Sequence, residues 1–447
     1  MLVAQKEVEV RHQLFERLAE ARSRTDEIFS IVKLDSLYER PIPERHRIIF
    51  YLGHLEAFDW NLLRERVLGL KTFHPDFDKL FAFGIDPVNG ALPSDQPTDW
   101  PSVADARHYV KRIRGSIDEG LTALTSSDWD TNPVGADFSA KTLLNVAIEH
   151  RLMHGETLAY MLHQLPLERK LRMQRKPELI VPAVAPRMIE IPAGRATLGL
   201  TRSNRSVFGW DNEYEAQAVD VTAFAIDKYK VTNGQYLDFV TAGCYENPAC
   251  WTEEDWNWRT AQEISHPVFW KRNRERWYCR TMFDEIPLPL DWPVYVSHAE
   301  ASAYARWAGK SLPTEAQWHR VAYGAEDGTE RPFPWGTAAP NSSKGNFDFQ
   351  NWDPTPVGAF PEGESAFGVA DLLGNGWEWT SSRFEPFPGF QRFSFYPGYS
   401  ADFFDGKHYV MKGASARTAA CMLRRSFRNW FQPHYQYVYA GFRCVSN

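Results

Sequence analysis

Glu149-His150-Arg151-Leu152-Met153-His154-Gly155-Glu156 places two histidines four residues apart. On an α-helix that spacing puts both imidazoles on one face. Around them Leu143, Ala147, His150, His154, Leu158 and Met161 recur at steps of three or four, which predicts one helix with a single apolar stripe. Asp137 or Ser139 would cap its start. Both imidazoles therefore stand where the pattern calls for apolar side chains. A buried polar group without a partner costs roughly 1–3 kcal/mol. Backbone or water would satisfy each ring separately, whereas one metal ion would satisfy both. Upstream, Arg45 to Asn61 reads as a second helix on which Phe50, His54, Ala57 and Asn61 share a face, so His54 also points inward. Three inward histidines from two helices make a three-nitrogen site with positions left open for water, substrate or dioxygen. Neutral imidazoles suit Fe(II), Zn or Cu, so ligand type alone does not choose the metal. Glu156 lies too far round the helix to share the direction of His154; it reads as a residue supporting the ligands, as a salt-bridge partner or as a solvated glutamate. His12, His46, His74, His108 and His163 have no comparable placement and read as surface or structural.

The rest of the first 170 residues fits a helical bundle, whose core commonly holds metal sites. Residues 5–36 read as a long amphipathic helix. Residues 102–124 read as another, after a Pro/Gly/Asp-rich loop at 84–101. A chain of 447 residues leaves room for two or three domains. The formal charge of −7 argues against a nucleic-acid binder, and no apolar run approaches the roughly 18 residues that span a bilayer. With no signal pattern at Met1-Leu2-Val3-Ala4-Gln5-Lys6, the expectation is a soluble, cytoplasmic protein with neither a nucleic-acid nor a membrane partner. The five cysteines form no CxxC pair, so neither a zinc ribbon nor a disulfide framework is indicated.

Residues 171–187 read as a linker that includes a basic run, and from Met188 the texture changes. Short strands alternate with turns rich in Gly, Pro and Asn, and tryptophans are frequent. The segments Leu312-Pro313-Thr314-Glu315-Ala316-Gln317-Trp318 and Gly374-Asn375-Gly376-Trp377-Glu378-Trp379-Thr380 stand out. Residues 188–447 thus resemble the formylglycine-generating-enzyme-like variant of the C-type lectin fold, a mixed α+β domain with little regular secondary structure. On that fold, Trp377 and Trp379 are expected in the core. The cysteine pair with which formylglycine-generating enzymes hold copper has no counterpart in Arg424-Arg425-Ser426-Phe427-Arg428-Asn429-Trp430-Phe431-Gln432-Pro433-His434-Tyr435.

The HxxxHxE pattern of His150, His154 and Glu156, with His54 upstream, marks residues 1–170 as similar to DinB-like four-helix domains. The fusion of the two halves resembles the ergothioneine sulfoxide synthases and the related selenoneine synthases. The resemblance implies a mononuclear non-haem Fe(II) on His54, His150 and His154 that uses dioxygen to join a sulfur or selenium donor to the imidazole C2 of hercynine. It also implies that Asn429 and Trp430 touch hercynine. Met153 stands where some relatives place a hercynine-binding Gln and offers packing only. The trimethylammonium head calls for an aromatic cradle, each cation–π contact being worth roughly 0.5–2 kcal/mol. Two departures bear on the donor. Phe77-Asp78-Lys79-Leu80-Phe81-Ala82-Phe83-Gly84 is followed by no tyrosine of the kind that steers sulfoxidation in some members, and Phe431 replaces an Asp that binds the amino group of γ-glutamylcysteine in others. A tyrosine from the C-terminal segment, among Tyr396, Tyr399, Tyr435, Tyr437 and Tyr439, remains open. Both losses fit a selenosugar donor, 1-selenoglucose, met by the hydroxyl-binding groups of Gly84 to Gly90 and Asp95. The alternatives are an ergothioneine sulfoxide synthase taking the thiol of cysteine or γ-glutamylcysteine, a lectin-like binding protein with a vestigial helical domain, and a zinc-dependent thiol transferase of DinB type.

Overall fold

The computed structural model describes residues 2–85, 92–124, 129, 138–173, 179, 181–204 and 207–446, with the side chains from residue 9 onward. The chain divides into two compact units, Met1–Met173 and Gln174–Asn447. No helix among the described residues is long and apolar enough to cross a membrane.

The first unit is helical: α1 (Leu2–Ser30), α2 (Ile48–Leu63), α3 (Pro75–Phe83), α4 (Val103–Ala123) and α5 (Ala140–Gln164). Helix α2 packs on α3, α4 and α5, and α1 lies against α5. Ser139 caps α5 by accepting from Thr142 N at 3.2 Å; Asp137 falls outside the described residues. Leu143, Ala147, Leu158 and Met161 are fully buried, as the stripe predicts, but so are Arg151 and, nearly, Glu149. A single stripe was therefore too narrow a reading, because α5 is enclosed on more than one side. The charge of Arg151 is answered inside by Glu56 at 2.8 Å and Asp59 at 2.6 Å.

Three boundaries differ from the sequence reading. Helix α1 stops at Ser30 rather than 36 because Val32 bridges Lys170 and Lys33 N bonds Arg169 O. Helix α2 starts at Ile48 rather than 45 because Arg47 is held extended, its guanidinium on Asp95 and the Tyr38 carbonyl. Helix α3 was not expected at all. Pro75 opens it, and the His74 ring accepts from Phe77 N at 3.2 Å. Its Phe81 lies so tightly on Gly53 of α2 that an added Cβ there would sit 2.3 Å from the ring.

The second unit is mixed and built from short pieces. The strands are β1 (Met188–Ile191), β2 (Gly194–Leu198), β3 (Gln217–Val221), β4 (Phe224–Asp227), β5 (Trp270–Asn273), β6 (Arg276–Arg280), β7 (Glu285–Pro287), β8 (Gly376–Arg383), β9 (Tyr409–Ala414), β10 (Asn429–Phe431), β11 (Ala440–Gly441) and β12 (Val445–Ser446). They form sheets ordered β1-β4-β12, β2-β3, β5-β6-β7 and β10-β9-β8-β11. Helices α6 (Asn233–Thr241), α7 (Glu253–Ala261), α8 (His298–Trp307) and α9 (Glu315–Tyr323) are each capped by a Thr or Ser hydroxyl, from Thr232, Thr252, Ser297 and Thr314. The Leu312–Trp318 segment is thus a cap and helix start, with Gln317 closing a capping box. In β8, Trp377 and Trp379 are core residues, 1% and 0% exposed. Between them Glu378 is fully buried and joins Lys230 at 2.9 Å, Arg443 at 2.6 Å and Trp318 Nε1 at 3.0 Å, so this carboxylate ties β8 to α9 and the C-terminal strand region. Gly376 has φ 122°, and a Cβ on it would meet the Tyr295 ring at 2.7 Å, which explains glycine at the strand's start.

Candidate metal centre

Helix α2 presents His54, and α5 presents His150 and His154. One ring nitrogen from each lies within 4.8 Å of the others, the one such cluster of three among the described residues. His54 and His150 are buried and His154 is half-buried. The Phe81 carbonyl of α3 lies 2.7 Å from His54 Nδ1. A carbonyl only accepts, so Nδ1 carries the hydrogen and Nε2 a bare lone pair. That Nε2 faces Nε2 of His154 at 3.3 Å, a spacing that two nitrogens held by one ion at about 2.0–2.1 Å would share. Nδ1 of His154 is buried and has no hydrogen-bond partner. The donor set therefore fits a metal ion: three imidazoles, one with its tautomer fixed from behind in the way ligating histidines usually are.

Helix α2 also packs a ring on each histidine. Phe50 stacks on His54 at 4.6 Å and 25°, Phe58 on His150 at 3.4 Å and 12°, and Tyr51 lies tilted against His154 at 5.7 Å. These surroundings set the charge state. Burial pushes His54 down to about 4, against the Phe81 hydrogen bond that raises it. His150 and His154 fall well below the usual range, first through burial and then through the neighbouring imidazoles. The three rings are neutral near pH 7, the form in which imidazole binds a metal.

The other residues singled out in the sequence fall as follows. Glu156 is 7% exposed, so it is not a solvated glutamate, and it lies outside the histidine cluster. Met153 is half-buried on α5. Asn429, Trp430 and Phe431 form β10 in the second unit, paired with Met411, Val410 and Tyr409 of β9. Trp430 stacks on Phe384 at 4.1 Å and 7°, with Tyr399 edge-on at 5.5 Å and Phe403 at 5.7 Å. Arg428, held by Glu315 at 3.0 Å, lies over Phe384 and Phe387. Phe431 stacks on Tyr435 at 5.1 Å. Of the C-terminal tyrosines, Tyr399 also stacks on Trp210 at 3.9 Å, and Tyr439 is buried against Tyr295. Asp95 does not offer a free carboxylate to a donor: Arg40, Arg47 and Trp100 Nε1 take it up. Phe83 is 65% exposed at the end of α3; Asp86 to Gly90 lie outside the described residues. The sequence reading missed Phe81, whose contribution is a backbone oxygen. It also missed Tyr51 and Phe58, although their positions three before and four after His54 are same-face helical spacings that would have found them.

A helical unit with a three-histidine cluster, two of its rings buried and one half-buried, followed by a mixed unit of short strands, defines a two-domain protein with a candidate metal centre in its first domain. Residues 17–158 match the DinB superfamily, and residues 177–447 match the Sulfatase-modifying factor enzyme 1-like domain. A hercynine oxygenase of Mycolicibacterium smegmatis is 31% identical over 97% of this chain and 99% of its own length. A hercynine oxygenase of Mycobacterium tuberculosis is 41% identical over 53% of this chain and 55% of its own. Ergothioneine biosynthesis protein 1 of Neurospora crassa is 29% identical over 92% of this chain, which spans 55% of that protein. The chain belongs to the ergothioneine sulfoxide synthase family, a DinB-like domain fused to a formylglycine-generating-enzyme-like domain of C-type lectin fold.

Proposed function

We propose that the chain is an Fe(II)- and dioxygen-dependent enzyme that forms a carbon–selenium bond at the imidazole C2 of hercynine, with a selenosugar such as 1-selenoglucose as donor. The observation that carries the metal part is the convergence of His54, His150 and His154, with the His54 tautomer fixed by the Phe81 carbonyl. The names of the relatives support hercynine. Iron bound there supplies open positions for dioxygen and a soft chalcogen, and electrons for reducing dioxygen. Coupling breaks the C2–H and Se–H bonds and forms one C–Se bond; the two protons and two electrons released go to dioxygen.

The chain's own residues bind, orient and exclude water. Phe50, Tyr51 and Phe58 pack the three imidazoles and keep water from their flanks. In the second unit Trp430, backed on one face by Phe384, and the neighbouring Phe403 supply aromatic rings suited to a trimethylammonium head, and the Asn429 side-chain amide suits a carboxylate or imidazole. Phe431 offers no charge to the amino group of an amino-acid donor, which favours an uncharged sugar. A sulfur donor, cysteine or γ-glutamylcysteine, is the second reading, favoured by the ergothioneine names of the relatives.

The test is a donor competition. Protein loaded anaerobically with Fe(II) is given hercynine and, in parallel, cysteine, γ-glutamylcysteine, thioglucose and selenoglucose; oxygen is admitted and products are weighed by mass spectrometry. A hercynine–selenosugar adduct as the main product is expected. A cysteinyl-hercynine sulfoxide as the main product would replace the favoured donor with sulfur, and no hercynine adduct with any donor would overturn the reading.

A further inference from the structure

Strand β10 is three residues long and lies at the edge of its sheet, next to β9. So short an edge strand fixes little through its own ladder. The five residues before it are held from inside instead, alternately by side chain and by backbone. Glu213 takes the Arg424 guanidinium at 2.8 Å and the Ser426 hydroxyl at 2.6 Å. Lys412 of β9 donates to the Arg425 and Phe427 carbonyls at 3.2 and 2.6 Å. Glu315, at the start of α9, takes Arg428 on both carboxylate oxygens, at 3.0 and 3.1 Å. Glu213, Lys412, Glu315 and Arg428 are each at most 5% exposed.

The last of these clamps leads to an aromatic group. The Arg428 guanidinium lies 4.9 Å over the Phe384 ring and 4.2 Å over Phe387. Phe384 is fully buried and stacks on Trp430 at 4.1 Å and 7°, while Trp430 is half-buried. Phe384 therefore meets no ligand itself; its ring sets the plane of the Trp430 ring. A two-point fork fixes the orientation of a guanidinium as well as its place, and a flat guanidinium stacks on ring faces in a way an ammonium cannot. The Glu315 carboxylate is not needed by its own helix, because Thr314 and Gln317 close the capping box of α9. Its partner is Arg428, and through Arg428 it reaches Phe384 and Trp430.

We infer that Glu315 is a positioning residue for a cationic substrate: through Arg428 and Phe384 it sets the Trp430 ring before the trimethylammonium head arrives. The inference rests on the reading above that Trp430 meets hercynine. A ring held in advance loses little freedom on binding, so more of each cation–π contact appears as affinity.

The experiment is calorimetric titration of the full chain, loaded anaerobically with Fe(II), with hercynine and no donor. Glu315→Gln is expected to weaken hercynine at least 10-fold with bound iron unchanged. Phe384→Leu should weaken it similarly, and Glu315→Gln/Phe384→Leu no further than the weaker of the two alone, because both act on one ring. Glu378→Gln strands buried cations elsewhere in the same unit and should lower stability without the loss of affinity. If Glu315→Gln does not fold, Arg428→Lys carries the same test, keeping the charge and losing the fork. Wild-type affinity in the Glu315 or Arg428 variant, losses that multiply in the double variant, or an equal loss in Glu378→Gln would overturn the inference while hercynine binding by the wild type still stood. No hercynine binding by the wild type would instead overturn the reading of Trp430, and the inference with it.

Discussion

Arg151→Met tests what holds α2 and α5 in the register that brings the histidines together. Arg151 is fully buried beside His150, and its Nη2 reaches Glu56 at 2.8 Å, Asp59 at 2.6 Å and the Leu55 carbonyl at 3.1 Å. Glu56 keeps a second cation, Arg114 at 2.7 Å, which Asp26 clasps in turn. Asp59 has no other ion pair among the described residues, so methionine strands its charge. Removing one partner of a buried pair costs about 3–5 kcal/mol. Asp59 has a partial escape. Burial, helped by Glu56 and opposed by Arg151, already pushes its carboxyl up to about 6, and loss of the arginine pushes it further. A folded-state value above that of an unfolded Asp, near 3.9, gives stability that is present at low pH and lost as pH rises through the folded value. The deficit of Arg151→Met should therefore be larger at pH 8 than at pH 5, by about 1.4 kcal/mol for each further unit the carboxyl rises. Arg151→Met/Asp59→Asn should recover part of it. Because a two-unit chain need not unfold in one step, the assay is hydrogen exchange of the α2 and α5 amides, alongside denaturant unfolding and metal content. A loss below 1 kcal/mol, equal losses at the two pH values, or no recovery in the double variant would refute the reasoning.

Gly53→Ala should destabilise by about 1–3 kcal/mol, the usual cost of overpacking, although alanine ordinarily favours a helix by roughly 0.5–1 kcal/mol. The new Cβ would meet Phe81, whose carbonyl holds His54, so thermal stability and bound metal should fall together; a raised Tm with full metal would show that Phe81 yields freely. Glu378→Gln should cost about 3–5 kcal/mol by leaving Lys230 and Arg443 buried against a neutral amide, read as a lowered denaturation midpoint of the second unit. Burial pushes His298 down to about 3, so it stays neutral in the fold while an unfolded histidine protonates near 6.5. Its contribution is whole above that value and is lost as pH falls toward 3; His298→Gln should flatten the acid limb of second-unit stability, followed by hydrogen exchange between pH 7 and 4.

The helical first half and the short-stranded second half were legible because periodicity and cap residues are local signals. Four steps along α5 sufficed to align His150 and His154, and Ser139 stood where a cap was expected. Boundaries set by distant partners were not legible. Nothing near Arg47 in the sequence says that Asp95 will hold it extended, and nothing near Val32 names Lys170 as its bridge partner. Helix α3 was missed because nine residues carry too little periodicity to stand out, and with it went the Phe81 carbonyl, since a backbone acceptor leaves no mark in a side-chain pattern. Asp95 misled for a related reason. A carboxylate in a loop reads as free until the arginines that claim it, 55 and 48 residues away, are brought alongside.

The residues that bear on the donor are divided between signals of different strength. The candidate metal ligands can be read because a metal demands a fixed number of lone pairs in one place, and three histidines on two helix faces meet that demand almost alone. A chalcogen donor makes no such demand. Phe431, stacked on Tyr435, and exposed Phe83 record only that a charge and a hydroxyl are absent, and an absence is compatible with any donor that does without them. The informative substitutions are therefore those that restore a group. Phe431→Asp should admit the amino group of γ-glutamylcysteine, raising its use as donor relative to selenoglucose by at least 10-fold in the same competition, about 1.4 kcal/mol of new discrimination. An unchanged ratio would mean that Phe431 does not face the donor, and the case for a selenosugar would lose its main support.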